Sequence, residues 1–329
     1  MKFAEIRGQQ EIKHHLQNAM SQGKVSHAYI ISGEKEAGKM MLAEAFAATL
    51  LCENHGEDAC GECHSCKQAL GHNHPDIRYV THEKAAISVE DIRQQINNDV
   101  VIKPYASDYK IYIVDEAEKM NKQAQNALLK TIEEPPEYAI IMLLTTNAAG
   151  FLQTILSRCV TLELNAVDKE TIIKELMENY RIPDYQAEIC GAFAQGNLGK
   201  AIKLASSEGF NEMKNQMVGM LRRIETMDLF EISQTMKEME EYKPQIQEYL
   251  DLMNIWFRDV LLYKSTGESK KMIFREEIMI IKKQAQSASF SGMEKIFKGI
   301  ATAKRRIAAN GNYNLAVELL LLTVKENIG

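Results

Sequence analysis

A parallel α/β core followed by an all-helical C-terminal half is the fold that three features of this 329-residue sequence predict. Five short apolar, β-branched runs lie between residues 28 and 164, helical patterns fill most of the gaps between them, and beyond about residue 165 the strand pattern stops. Strands that alternate with helices imply a mainly parallel sheet covered on both faces.

Taken in order, the strand-like runs are 28–32, 77–80, 110–114, 139–144 and 160–164. A helical pattern over 40–51 follows the first. Ser88 and Asp91 have capping-box spacing ahead of Ile92 and Ile96, which marks a helix start. A helix over 122–133 must end at Pro135-Pro136, because proline lacks the next donor and disfavours a helical residue before it. Helical periodicity then covers 168–179 and 185–194, resumes after Gly196, and continues in longer amphipathic stretches to the C-terminus. The polar stretch 206–211 reads as a linker and 264–271 as a surface loop. Leu250, Met253, Trp256, Phe257, Leu315 and 319–322 are the expected helical core.

Composition narrows the function classes. With 45% hydrophobic and 26% charged residues and only 6 prolines, the chain is ordered and neither fibrous nor low-complexity. Its length suits two or three domains. No apolar run approaches the roughly 20 residues that cross a bilayer, and the opening MKFAEIRGQQ lacks a signal-peptide pattern, so a cytoplasmic protein is expected. A net charge of -6 gives no global attraction to nucleic acid.

The run Gly33-Glu34-Lys35-Glu36-Ala37-Gly38-Lys39 fits G-x-x-x-x-G-K between a strand and a helix. In such a loop, backbone N–H groups and a helix N-terminus cradle phosphates while the lysine neutralises the outer ones. The next residue should be Ser or Thr, whose hydroxyl ligates Mg²⁺. Here it is Met40, whose soft thioether suits a hard cation poorly. Downstream, 110–116 supplies an apolar strand ending in Asp115 and Glu116, the arrangement that holds Mg²⁺ and orients water. A Gly-rich turn and a solvated helix start are the bland readings of the two motifs taken singly; together they point to a P-loop core.

Cys52, Cys60, Cys63 and Cys66 have the spacing C-x7-C-x2-C-x2-C. Four crowded thiols in a reduced compartment suit a structural, tetrahedral Zn²⁺ with no open position. Iron–sulfur ligation is the competitor, though the Pro-flanked ferredoxin run is absent. His55, His64, His72 and His74 lie nearby and could substitute for a cysteine but read first as surface residues, and Cys159 and Cys190 read as semi-buried thiols.

With these residues in hand, the chain resembles the AAA+ clamp-loader proteins of bacterial DNA polymerase III, most of all their delta-prime branch. The resemblance rests on Arg7-Gly8-Gln9, Ser26-His27-Ala28-Tyr29, the phosphate loop, Asp115-Glu116-Ala117, the run from Asn126 to Pro136, Thr145-Thr146-Asn147 and Ser157-Arg158-Cys159. It implies a RecA-like base over 1–165 with a zinc module at 52–66, a small helical lid over 166–208, and a helical collar over 209–329. It implies assembly with motor (gamma/tau) and delta subunits in a five-membered ring that places a sliding clamp on primer-template DNA. Arg158 stands at the family's arginine-finger position and Thr146 in its sensor 1 region. Gly199 falls where motor subunits carry the sensor 2 arginine, with Lys200 beside it. Gly33, Gly38, Lys39, Asp115, Glu116 and Thr146 would then frame a degenerate nucleotide site with weak ATP/Mg²⁺ binding. The basic run Lys304-Arg305-Arg306 would serve subunit contacts.

Two other readings remain open on sequence. An ATP-hydrolysing motor subunit is kept alive by Lys39, Asp115 and Glu116. A zinc-dependent nucleic-acid module is disfavoured by the acidic Glu53, Glu57, Asp58 and Glu62.

Overall fold

The computed structural model describes residues 2–82 and 85–328, which form two compact units. The first comprises Met1–Thr171 and Gly196–Lys200, the second Ile172–Gln195 and Ala201–Gly329.

In the first unit, strands β1 (Ala28–Ser32), β2 (Ile77–Val80), β3 (Lys110–Val114), β4 (Ala139–Thr145) and β5 (Val160–Glu163) form one parallel sheet in the order β2-β3-β4-β1-β5. The helices are α1 (Gln10–Ser21), α2 (Lys39–Leu50), α3 (His64–Leu70), α4 (Val89–Ile92), α5 (Lys122–Glu133) and α6 (Gln153–Leu156). All five predicted strands are present to within a residue. Their side chains alternate between two cores. Tyr29, Ile31, Ile113, Met142 and Leu144 pack with Leu42 and Phe46 on one face, whereas Ile30, Tyr112, Ile141 and Leu143 pack with Ile92, Ile96 and Leu128 on the other. Burial on both faces is why β1, β3 and β4 read as nearly continuous apolar runs, while the edge strands β2 and β5 expose Arg78, Thr161 and Glu163. The sequence-predicted cap also forms: Asp91 N donates to Ser88 Oγ at 3.2 Å, and Ser88 N donates to Asp91 Oδ2 at 2.8 Å.

Because β3, β4 and β1 are neighbours, their C-terminal ends lie side by side. The phosphate loop, Asp115 and Thr146 leave from those three ends. This crevice beyond the strand C-termini is where open parallel sheets bind ligands.

Behind it, Lys110 is buried and its Nζ lies 2.8 Å from Asp99 Oδ2, which also accepts from Tyr112 Oη at 2.8 Å. Burial pushes the Asp99 carboxyl up, but the Lys110 and Tyr112 hydrogen bonds outweigh it and hold the pKa below the ordinary value. A depressed carboxylate pKa contributes stability above the unfolded value of about 3.9, and that contribution is lost as pH falls through the folded pKa. Lys110→Met leaves the carboxylate only the more exposed Arg78, whose Nε lies 3.8 Å away, and is expected to cost about 3 kcal/mol in urea unfolding at pH 7. The difference should shrink at acid pH; an unchanged midpoint at pH 7 would refute the pairing.

The second unit is helical. It is built from α7 (Lys169–Tyr180), α8 (Asp184–Ala194), α9 (Leu198–Ala205), α10 (Glu208–Arg223), α11 (Leu229–Glu240), α12 (Ile246–Thr266), α13 (Ile278–Ser287), α14 (Phe290–Ala308) and α15 (Tyr313–Ile328), of which α7 and α9 take their first three residues from the first unit. Leu250, Met253, Trp256 and Phe257 are fully buried, as expected. Three expectations need correction. The 206–211 stretch is not a linker throughout, because Ser207 Oγ accepts from Phe210 N at 3.2 Å and caps a helix that starts at Glu208. The loop expected from 264 begins only after Thr266, where Gly267 adopts φ +71 and ends α12. Leu315 and Leu319 are exposed, since α15 buries the stripe Ala316, Val317, Leu320, Leu321 and Val324 and turns the other two away. No helix among the described residues is long and apolar enough to cross a membrane.

Candidate nucleotide site and cysteine cluster

The phosphate loop leaves β1 where Gly33 N donates to Thr145 O of β4 at 3.1 Å. Gly38, at φ +93, supplies the left-handed turn that starts α2, a conformation a side chain rarely adopts. Lys39 heads that helix and is buried, yet its ammonium donates to the loop's own carbonyls, Gly33 O at 2.8 Å and Glu34 O at 2.7 Å. Burial lowers the Lys39 pKa, opposed by the nearby Glu118 and Asp115 carboxylates. Met40 and Met41 line the cavity in front of the loop, with Asp115, Glu116, Glu118 and Thr146 across from them. No side-chain oxygen stands at the position after the lysine.

The acids are arranged among themselves. Asp115 Oδ1 accepts from Glu116 N at 2.9 Å, and Glu116, in the left-handed region at φ 48, pairs with Lys119. That hydrogen bond holds the Glu116 carboxyl below its usual range. Glu118 accepts from Thr146 Oγ1 at 2.7 Å and from Thr146 N at 3.2 Å. Burial pushes Glu118 up, but these bonds and others prevail and keep it below the ordinary value. Thr146 is thus tied to a carboxylate that the sequence reading did not single out. Its neighbour Thr145 is fully buried and accepts from Asn147 N through Oγ1 at 3.0 Å, the strand-end capping role.

Residues Gly196–Lys200 lie against the loop. Asn197 Nδ2 donates to Lys35 O at 2.8 Å and to Glu34 Oε2 at 3.3 Å. Gly199 sits so close that a Cβ there would stand 2.1 Å from Glu36 O, so no arginine can occupy that position in this arrangement.

Arg158 lies between α6 and β5, part-exposed, with Nη2 3.2 Å from Glu133 Oε1 and Nη1 donating to Thr154 O at 3.1 Å. Within the single chain it therefore makes a salt bridge on the surface of the first unit and is not among the residues that line the cavity in front of the phosphate loop.

The four cysteines predicted to act together do converge: the sulfurs of Cys52, Cys60, Cys63 and Cys66 lie within 4.8 Å of one another. Cys60 and Cys66 sulfurs are 3.9 Å apart, too far for a disulfide and close to the roughly 3.8 Å edge of a tetrahedron with zinc–sulfur bonds of about 2.3 Å. Amide donors point at them, Cys63 N at Cys60 Sγ and Cys66 N at Cys63 Sγ, each at 3.3 Å. Those donors suit thiolates. The N–H groups of Glu62 and Cys63 pull the Cys60 thiol down to about 6, while burial pushes Cys66 up to about 12. A cation among the sulfurs would favour the thiolate form of all four. His55, His64 and His72 are exposed as expected, but His74 is buried, which corrects its surface reading. Its Nδ1 accepts from Asp76 N at 3.1 Å, and its Nε2 lies 3.1 Å from Ser65 Oγ, which itself donates to Leu51 O at 2.6 Å. The hydroxyl proton points at a carbonyl, so this pair is a structural tie between α3 and the edge of the sheet and not a nucleophilic dyad.

A family model described as "DNA polymerase III, delta subunit" matches residues 8–168. The Bacillus subtilis DNA polymerase III subunit delta' is 27% identical over 314 residues, which cover 94% of each chain. The chain belongs to the DNA polymerase III clamp-loader family. The tau/gamma subunit of Haemophilus influenzae is 34% identical over 67% of this chain and 33% of its own length, and the tau subunit of Bacillus subtilis 30% identical over 80% and 50%. The chain thus spans a third to a half of those tau-type relatives but nearly all of the delta' relative. A gamma-subunit-related protein of Thermotoga maritima aligns at 20% identity and TM-score 0.41 over 96% of this chain and 99% of that one.

For a clamp-loader chain, the phosphate loop, Asp115, Glu116 and Thr146 come together as expected, and Arg158 stands apart from them. Glu118, Asn197 and Glu133 were missed. Glu118 was masked by the Asp115-Glu116 pair two residues earlier, although both lie on the turn that follows β3. Glu133 stands within the run from Asn126 to Pro136 but carried no assigned partner. Asn197 carries a local helix-cap signal, since its Oδ1 accepts from Lys200 N, but nothing local reveals its loop partners, which lie more than 160 residues away in sequence.

Proposed function

We propose that this chain is a delta-prime-type stator of the DNA polymerase III clamp loader, one that turns over little or no ATP itself and lends Arg158 to a neighbouring subunit's nucleotide site. The observation that carries this reading is the phosphate loop: its lysine is engaged by Gly33 O and Glu34 O, and Met40 replaces the hydroxyl that would ligate Mg²⁺. The full-length match to the delta' relative supports a clamp-loader subunit, but a gamma subunit matches as fully, so the choice of stator over motor rests on the loop. In this reading 166–208 is the lid and 209–329 the collar of a five-membered, cytoplasmic ring with gamma/tau and delta subunits. The ring acts on a sliding clamp and primer-template DNA. Arg158 would leave Glu133 for a partner's phosphates, where a guanidinium offsets charge developing on the transferred group. Cys52, Cys60, Cys63 and Cys66 would hold a structural Zn²⁺, which organises the 52–66 segment and supplies no chemistry.

The deciding measurement is ATP hydrolysis by the purified chain, alone and with a motor subunit, clamp and primed DNA. Negligible turnover alone, unchanged by Lys39→Ala, is expected. Turnover by the isolated chain that Lys39→Ala abolishes would establish the motor alternative.

A further inference from the structure

Asn197 is nearly buried, and its carboxamide serves two elements at once. Oδ1 accepts from Lys200 N at 3.0 Å and caps the start of α9, while Nδ2 donates to Lys35 O at 2.8 Å and Glu34 Oε2 at 3.3 Å across the phosphate loop. Two residues on, Gly199 abuts Glu36 O with no room for a Cβ. The other end of the strap is held too: Val167 N donates to Gly196 O at 2.8 Å, and a Cβ on Gly196 would stand 2.5 Å from Ala166 Cβ. On the inner side of the loop, Lys39 Nζ takes Gly33 O and Glu34 O. The loop carbonyls are therefore satisfied from both sides by the chain's own donors, in a conformation that directs Lys39 at the backbone. Phosphate binding needs that lysine turned toward the ligand and a loop free to fit its N–H groups around the phosphates.

We propose that Asn197, seated by the close approach of Gly199, is a latch that holds the phosphate loop shut against nucleoside triphosphates. The latch deepens the stator reading and rests on it. It also gives Gly199 a positive role: the absence of a side chain there is what lets the strap close on the loop. Met40 weakens metal binding; the latch acts separately, on whether triphosphate enters at all.

Two substitutions open the latch by unrelated means. Asn197→Ser keeps an N-cap oxygen for Lys200 N, since serine caps helices about as well as asparagine, but is too short to reach Lys35 O. Gly199→Ala favours the helix intrinsically and inserts a methyl where Glu36 O stands. The full-length chain and both variants are titrated with ATP, with and without Mg²⁺, and deuterium uptake of 33–39 is followed in parallel. Each variant is expected to raise uptake in that segment and to tighten ATP at least tenfold over the parent, about 1.4 kcal/mol. If uptake rises while ATP affinity stays at the parent value, the latch does not govern occupancy and the proposal falls. It falls equally if Asn197→Ser leaves uptake unchanged, a test that stands even if Gly199→Ala does not fold. Tight ATP binding by the parent without hydrolysis overturns the latch alone, whereas parent hydrolysis overturns the stator reading beneath it.

Discussion

Arg158→Ala is expected to remove nearly all the ATP turnover at the one neighbouring site that borrows this side chain, while leaving the chain's own fold intact. Arginine fingers contribute about 10³ to 10⁵ in rate, because the guanidinium meets charge that develops only as the phosphoryl group transfers. A loss of that size at one site lowers the steady-state rate of a ring by that site's share, so single-turnover measurement resolves it better than bulk ATPase. In the single chain Arg158 is part-exposed and bonded to Glu133 Oε1 at 3.2 Å and Thr154 O at 3.1 Å. Surface pairs of this kind are worth about 0–1 kcal/mol, so the arginine can exchange Glu133 for a phosphate at little cost and its removal barely affects stability. Arg158→Lys distinguishes the roles. A lysine can keep the ion pair with Glu133, but it lacks the planar fork and should restore little of the rate. An assembled loader whose turnover is unchanged by Arg158→Ala would leave only the salt bridge.

The parts of the fold that were legible in the sequence are those in which one local pattern meets one physical demand. Strands buried on both faces must be apolar at nearly every position, and 28–32, 110–114 and 139–145 are buried throughout, with polar side chains only at their ends, Ser32, Lys110 and Thr145. The phosphate loop and the Ser88 cap are readable because backbone geometry dictates their glycines and their hydroxyl. The illegible parts depend on distant partners. Nothing near Glu118 marks it, and the helix cap at Asn197 says nothing of the loop; each matters because of what the fold sets opposite, Lys35 O and Glu34 in one case and Thr146 in the other. His74 misled for a related reason. Histidine next to clustered cysteines suggests solvent or metal, but Asp76 N and Ser65 satisfy both ring nitrogens inside the protein. Ser207 reads as linker in the company of Ser206 and Gly209, though its place just before an amphipathic run is that of an N-cap.

Removing metal from the cysteine cluster, or replacing Cys66 by serine, is expected to be the largest stability change available in the first unit. Structural zinc in small fingers contributes about 10–16 kcal/mol, which in those peptides is the whole folding free energy. The cluster here is better supported. Cys52 and Cys66 are buried with Ala59 and Ala69 in the core that includes α2, Ser65 donates to Leu51 O, and Phe3 N donates to Asp58 Oδ1 at 2.8 Å. Part of the segment should therefore stay in place without metal, and a loss of about 5 kcal/mol is the expected scale. At about 2–4 °C per kcal/mol for a unit of this size, that lowers the melting temperature by about 10–20 °C. Purified reduced protein should carry about one zinc per chain. Chelation should release it with increased protease cleavage within 53–64, while α3 stays tied through Ser65 and His74. His74→Ala should extend the loosening to α3 while leaving all four thiols able to bind metal. A metal-free protein that melts at the same temperature and resists cleavage as before would show that the sulfurs meet through packing alone.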